Sequence, residues 1–201
     1  MAYSTLPELR AYIGVDDTAD DMALQVALSA TEAMIDGYCE RSFAPAGTAA
    51  TTRVYMADTP YLVFIDDASS ITLIETDPGL DGTWTDVWAS SDWQAEPLNA
   101  RSGGLSSPYT QVRAIGDYAY PVDFRAAVRV TATWGWASVP DVVQQATLLQ
   151  AGRIFKRRDS VLGFAGGPET GLIRVGRAID GDVAQLLAPY RKGASAIGGI
   201  A

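Results

Sequence analysis

Four aspartates within six residues, Asp16, Asp17, Asp20 and Asp21, are the densest set of potential metal ligands in this 201-residue chain. A calcium loop would need ordered spacing of its oxygen ligands, a central glycine and a closing glutamate, and the cluster has none of these. It stands instead at the start of a helical pattern, where negative charge complements the helix dipole. The single thiol, Cys39, has no histidine anywhere in the sequence to activate it and reads as a small buried residue. The lack of histidine also removes Ser–His and Cys–His pairs, most zinc sites and the usual acid–base group near neutral pH. Carboxylate and lysine chemistry stay open, but no acidic pair is brought together by spacing. The expectation is a protein that is not an enzyme and uses no cofactor or metal.

Three further clusters have a chemical and a plain reading. Lys156, Arg157 and Arg158 close a helical pattern, where basic residues match the dipole, although contact with nucleic acid is the other possibility. The stretch from Gly163 to Gly171 is glycine-rich but lacks Gly-Lys-Ser/Thr and a preceding strand, so it reads as a mobile loop and not a phosphate cradle. All five tryptophans (Trp84, Trp88, Trp93, Trp134, Trp136) fall in one block. Aromatic faces beside acidic groups can bind sugars, so a carbohydrate-binding module is the alternative function. Large rings supplying the core of a small sheet are the preferred reading.

Charge is unevenly placed. Residues 1–140 carry 19 acidic and 7 basic side chains, a net of −12, whereas residues 141–201 carry 5 and 8, a net of +3. An acidic body is poorly matched to duplex DNA, which binds by having its phosphates neutralised. It suits a passage along which DNA slides without sticking. No apolar run approaches the roughly 18 residues that span a bilayer, and the first residues lack a signal peptide's order, so a soluble cytoplasmic product is expected. One cysteine allows no intrachain disulfide.

The elements that would position these groups follow from periodicity. Thr5, Pro7 and Glu8 form a capping-box start and Gly14 a stop, which predicts a helix over about 6–13. Leu24, Ala27, Leu28, Thr31, Met34, Ile35 and Tyr38 recur at helical spacing up to Cys39. From Arg53 to Trp136 the pattern becomes β-favouring, with runs at 61–65, 70–75 and 127–134 separated by Pro, Gly and Asp turn signals. Ser138 to Asp141 restarts a helix that runs to about Arg157. Its apolar residues do not form one stripe: Val142, Ala146 and Leu149 share a side, Val143 and Ile154 flank it, and Leu148 and Phe155 face nearly opposite. Such a helix is buried on two sides. Either it is a central core helix, or it packs inside its subunit on one side and against a neighbour on the other. In the second case Val143, Leu148, Ile154 and Phe155 are the candidate subunit-interface residues. Val183, Leu186, Leu187 and Tyr190 give a last amphipathic helix, with Asp180 or Asp182 at its start and Pro189 at its end. Residues 191–201 are small and glycine-rich, and are expected to be flexible.

The order of these pieces resembles the head–tail connector (adaptor) proteins of tailed phages. Leu24–Leu28, Ala30, Ile35, Asp36, Tyr38, Cys39 and Arg41–Phe43 are similar to the first long helix of that family. Val130–Trp136, Val139–Val143, Ala146 and Lys156–Asp159 are similar to its strand, Val-Pro junction and second long helix. The resemblance implies an α+β fold: a small antiparallel helical bundle, residues 1–52 and 137–190, with a β-rich insertion, 53–136, between its two main helices. It further implies a homo-oligomeric ring, commonly of twelve subunits, beneath the portal protein at the head–tail junction of the virion, with a stopper or tail-completion protein below. Such a ring closes the DNA-filled head and extends the channel, through which DNA passes without specific binding. The carboxy-terminal segment is implied, by position alone, to reach the portal; here that means Tyr190, Arg191, Ile197 and Ile200.

Overall fold

Thr5 and Glu8 cap one another at the start of the first helix, α1 (Leu6–Ile13). The Glu8 N–H donates to Thr5 Oγ1 at 3.4 Å and the Thr5 N–H to Glu8 Oε2 at 2.6 Å. These bonds satisfy donors that a helix amino terminus otherwise leaves without partners. Gly14 ends α1 in the left-handed region, φ 74°, where a side chain would be strained. The second helix, α2 (Asp21–Cys39), buries Leu24, Ala27, Leu28, Thr31, Ile35 and Cys39, the face its periodicity predicts. The computed structural model describes residues 3–99, 107–157, 164–165, 173–174 and 179–192.

The chain forms two compact units, Met1–Phe43 with Val139–Ala201, and Ala44–Ser138. The first is helical. Helix α3 (Asp141–Arg157) packs against α1, α2 and the short α4 (Gly181–Leu187), which a 3-10 turn, Ala188–Tyr190, extends. Leu9, Leu24, Ala27, Leu28, Ala151 and Phe155 form one apolar cluster, with Leu6, Ile13, Leu148 and Ile154 packed on it. Each fully buried leucine contributes roughly 1.5–3 kcal/mol. The hydroxyls of Thr31 and Thr147 would be costly in such a core. They are satisfied by donating to the carbonyls of Ala27, at 2.8 Å, and Val143, at 2.7 Å. Within 163–171, Phe164 and Ala165 (β7) pair antiparallel with Ile173 and Arg174 (β8); the other residues of the loop expected there lie outside the described residues.

The second unit is an antiparallel sheet of β1 (Thr51–Tyr55), β2 (Leu62–Thr76), β3 (Asp86–Trp88), β4 (Trp93–Glu96), β5 (Tyr109–Ala114) and β6 (Val128–Trp134). Their order is β1-β6-β2-β5-β4, with β3 also paired to β2. Helices flank the sheet in the sequence, so the fold is α+β with the strands between helices. The two runs expected at 61–65 and 70–75 are one continuous strand. Its first half pairs with β5 and its second with β6, and register shifts near Ala68 mark the change of partner. Residues 44–52 belong with this unit: Ala46 N–H donates to the Trp136 carbonyl at 2.6 Å and Pro45 bridges to Trp136. Gly135, at φ 109°, permits the approach, since a Cβ there would lie 3.0 Å from the Ala44 carbonyl oxygen. The core of the sheet is Val63, Ile65, Ile74, Trp88, Val112, Tyr120, Val128 and Val130.

Candidate functional site

The groups that the sequence marks for chemistry are mostly tied up structurally. Asp21 accepts from Arg10 Nε at 2.6 Å, joining the start of α2 to α1, and Asp17 turns its own backbone by accepting the Ala19 N–H at 3.0 Å. Among the described residues no group of three or more side chains is placed to hold a metal ion. Cys39 is buried and desolvation pushes its thiol up to about 11, which keeps the sulfur protonated and unreactive near neutral pH. No helix among the described residues is long and apolar enough to cross a membrane.

The tryptophans serve the sheet. Trp88 and Trp136 are buried, and Trp88 stacks on Tyr120 with centroids 4.6 Å apart. Half-buried Trp93 packs against the core. Trp134 carries the Arg53 guanidinium 4.6 Å over its ring, and Trp84 carries that of Arg129 at 4.8 Å. A sugar platform needs an open aromatic face; Trp88 and Trp136 offer none, and one face each of Trp134 and Trp84 is covered by arginine.

The four interface candidates on α3 have different fates. Val143 is fully buried and Phe155 nearly so, while Leu148 and Ile154 are half-buried against the cluster beneath α1 and α2. Three other helices, α1, α2 and α4, pack on α3 inside the helical unit. Of the tail candidates, Tyr190 is buried with its ring set edge-on to Phe43 at 6.0 Å. Arg191 lies 5.1 Å over the Tyr38 ring and the Lys192 N–H donates to the Cys39 carbonyl at 2.8 Å. Ile197 and Ile200 lie outside the described residues.

One surface escaped the sequence reading. The face of α2 turned away from its core carries Met22, Gln25, Val26, Ser29, Ala30, Ala33 and Gly37, all exposed and none charged. Met22 is 82% exposed and Val26 64%. The signal was present, since positions 22, 26, 30, 33 and 37 also recur at helical spacing. It was masked by the longer buried side chains on the other side. An uncharged helix face with large apolar groups at one end and small ones at the other is suited to packing against another helix.

No protein-family model matches the chain, and no curated protein matches it. Solved structures do. A chain from the neck of an empty gene transfer agent (GTA) particle, computed with C6 symmetry, is similar at a TM-score of 0.53 and 17% identity, covering 93% of this chain and 88% of that one. A chain of the native GTA virion gives 0.48 and 20% identity over 93% and 88%. A chain from the native GTA neck, computed with C12 symmetry, gives 0.44 and 20% over 93% and 87%. At these identities the first likeness establishes a shared fold that spans both units.

Proposed function

We propose that this chain is a structural neck protein of a phage-like particle, the subunit of a head–tail connector ring and not an enzyme. The observation that carries the reading is the likeness to the neck chain of the GTA particle over 93% of this sequence, which takes in both the helical unit and the sheet. The C6 symmetry with which that neck was computed fits a ring of six or twelve copies. In this role the chain sits in the virion at the head–tail junction, after synthesis in the bacterial host cytoplasm. It contacts the portal ring on one side and a stopper or tail-completion protein on the other, and extends the DNA channel. The net charge of −9 supports passage of DNA without adhesion, because few phosphates are neutralised by such a surface. Leu148 and Ile154 keep some surface for a neighbouring subunit; the tail beyond Lys192, with Ile197 and Ile200, is assigned to the portal.

The test is electron cryomicroscopy of particles made with an internally tagged chain. A ring of tag density between portal and tail supports the reading. Tag density spread over the capsid, or found only in the unassembled fraction, refutes it.

A further inference from the structure

We propose that Asp81–Gly82 is a latent site of aspartyl isomerisation, and that the buried carboxylate of Asp77 keeps it closed while the chain is folded. The site lies in the loop between β2 and β3, and the inference stands independently of the ring reading above.

An aspartate followed by glycine is the pair in which this reaction runs most readily, because glycine sets no side chain in the way of its own nitrogen. The chain has three such pairs. Asp36–Gly37 lies inside α2, whose hydrogen-bond ladder fixes it. Asp180 caps α4, and its carboxylate is held by the Asp182 N–H and by Arg153. Only in Asp81–Gly82 do both residues lie outside helices and strands, and both are exposed.

The reaction begins when the Gly82 nitrogen attacks Asp81 Cγ. The N–Cγ bond forms, the Cγ–O bond breaks, and the nitrogen's proton leaves with the hydroxyl as water. Water then adds to either carbonyl of the five-membered imide and opens it. One opening restores aspartate; the other leaves an isoaspartyl link, in which the backbone runs through Cγ and gains one carbon. Nothing is oxidised or reduced.

In the folded chain both reacting groups are held. The Gly82 N–H donates to Asp77 Oδ2 at 2.7 Å and the Asp81 N–H to Asp77 Oδ1 at 3.3 Å. Asp77 is itself 3% exposed, and its own N–H donates to the Ala127 carbonyl at 3.0 Å, which ties the carboxylate to the sheet. With those bonds in place the Gly82 peptide cannot turn toward Cγ. A carboxylate, with a conjugate acid of pKa about 3.9, is far too weak a base to take an amide proton, so Asp77 restrains the nitrogen without activating it. At the other reacting group, Asp81 Oδ1 accepts from the Thr83 hydroxyl and from the Thr83 N–H, the latter at 2.8 Å. These bonds hold the Asp81 carboxyl below its ordinary value, so it lacks the proton with which its oxygen would leave as water. The loop is also pinned at Leu80, at φ 54° in the left-handed region, where the carbonyl accepts from Arg125 Nη1. A leucine keeps that backbone only where its surroundings impose it.

The experiment incubates the 201-residue chain at neutral pH over several weeks and locates isoaspartate at residue 81 by peptide mapping with electron-transfer fragmentation. The reference is the same chain held unfolded in guanidinium chloride. A hydrogen bond to a charged acceptor must break before the nitrogen can attack, so the folded wild type isomerises about tenfold to about a hundredfold more slowly than the reference. Asp77→Ala brings the folded rate close to the reference. Tryptophan fluorescence, which comes entirely from the sheet unit, checks that the variant is folded. Should Asp77→Ala not fold, Asp77→Asn, with one acceptor oxygen in place of two, carries the test by the same measure. A folded wild type that isomerises as fast as the reference, or faster, overturns the proposal. So does a folded Asp77 variant that isomerises as slowly as wild type.

Discussion

Gln150 and Asp180 are joined across the helical unit: the fully buried Gln150 side-chain oxygen, on α3, accepts the backbone N–H of Asp180 at 3.1 Å. Asp180 is the N-cap of α4, and its carboxylate accepts the Asp182 N–H at 3.0 Å and pairs with Arg153. One side chain from the core of α3 thus fixes where α4 begins. Replacing Gln150 with Ala leaves a part-buried N–H without its acceptor and a gap where the buried side chain stood. The expected loss is about 2–3 kcal/mol in urea unfolding. Amides of residues 182–187 should exchange faster than those of α2, and uniform exchange across both helices counts against this account.

Glu96 links the sheet to pH. Its carboxylate accepts from Arg113 Nε at 2.7 Å and from Gln111 Nε2 at 2.5 Å. The Arg113 hydrogen bond, opposed by desolvation, holds the carboxyl below its ordinary value of 4.5. A depressed folded value contributes stability that is present above pH 4.5 and is lost as pH falls through it. Glu96→Gln should cost about 1 kcal/mol at neutral pH, as for a partly exposed pair. The gap from wild type should close as pH falls below 4.5 and on through the lowered folded value. Chemical unfolding at several pH values reads this directly, and a pH-independent gap contradicts it.

What the sequence made legible is the chemistry that acts over a few residues. The Thr5–Glu8 cap, the Gly14 stop, the buried stripe of α2 and the start of the last helix at Asp180 or Asp182, which the structure places at Asp180, all depend on neighbours within about four positions. The sheet was harder because its partners are remote. Asp66 and Asp67 interrupt an apolar run, yet β2 continues through them. Asp66 is held by Arg53 at 2.6 Å and Tyr55 at 3.0 Å, and Asp67 by Trp136 Nε1 at 3.2 Å. No local pattern announces bonds across 11 to 69 residues. Strands β3 and β4, three and four residues long, are too short to show alternation at all. For α3 the sequence showed two apolar sides and left open what covers them; α1, α2 and α4, which pack on it, come from remote parts of the chain or from no pattern that names their partner.

The division into two units, each with its own apolar core, predicts that the sheet can be removed from the helices. Replacing residues 44–138 with a flexible Gly/Ser linker should preserve helical circular dichroism and cooperative unfolding of the remainder. Residues 44–138 alone should give a β spectrum. Loss of helix in the first protein shows that the cores are interdependent and that excision removes something the helical unit needs.

The carboxy-terminal segment separates folding from attachment. Tyr190 is buried against Phe43, Arg191 covers the Tyr38 ring, and Lys192 donates to the Cys39 carbonyl, so the described contacts of the helical unit run through Lys192. Ending the chain after Leu187 removes a buried aromatic ring and should destabilise by about 3–5 kcal/mol, the usual cost of emptying such a site. Ending it after Lys192 removes none of these contacts and should leave the melting temperature unchanged. The nine residues lost in that case include Ile197 and Ile200, three positions apart, which one turn of helix would bring to the same side. Burying both on a portal groove would return roughly 3–6 kcal/mol, set against about 1–2 kcal/mol for each backbone residue fixed. The balance per tail is therefore poor, and firm attachment requires many tails engaged together on one ring. The chain ending at Lys192 should fold normally and fail to stay on portal-bearing heads in pull-down or gradient sedimentation. Ile197→Ser with Ile200→Ser in the complete chain should reproduce that loss. Retention equal to wild type in both proteins assigns the portal contact to another surface.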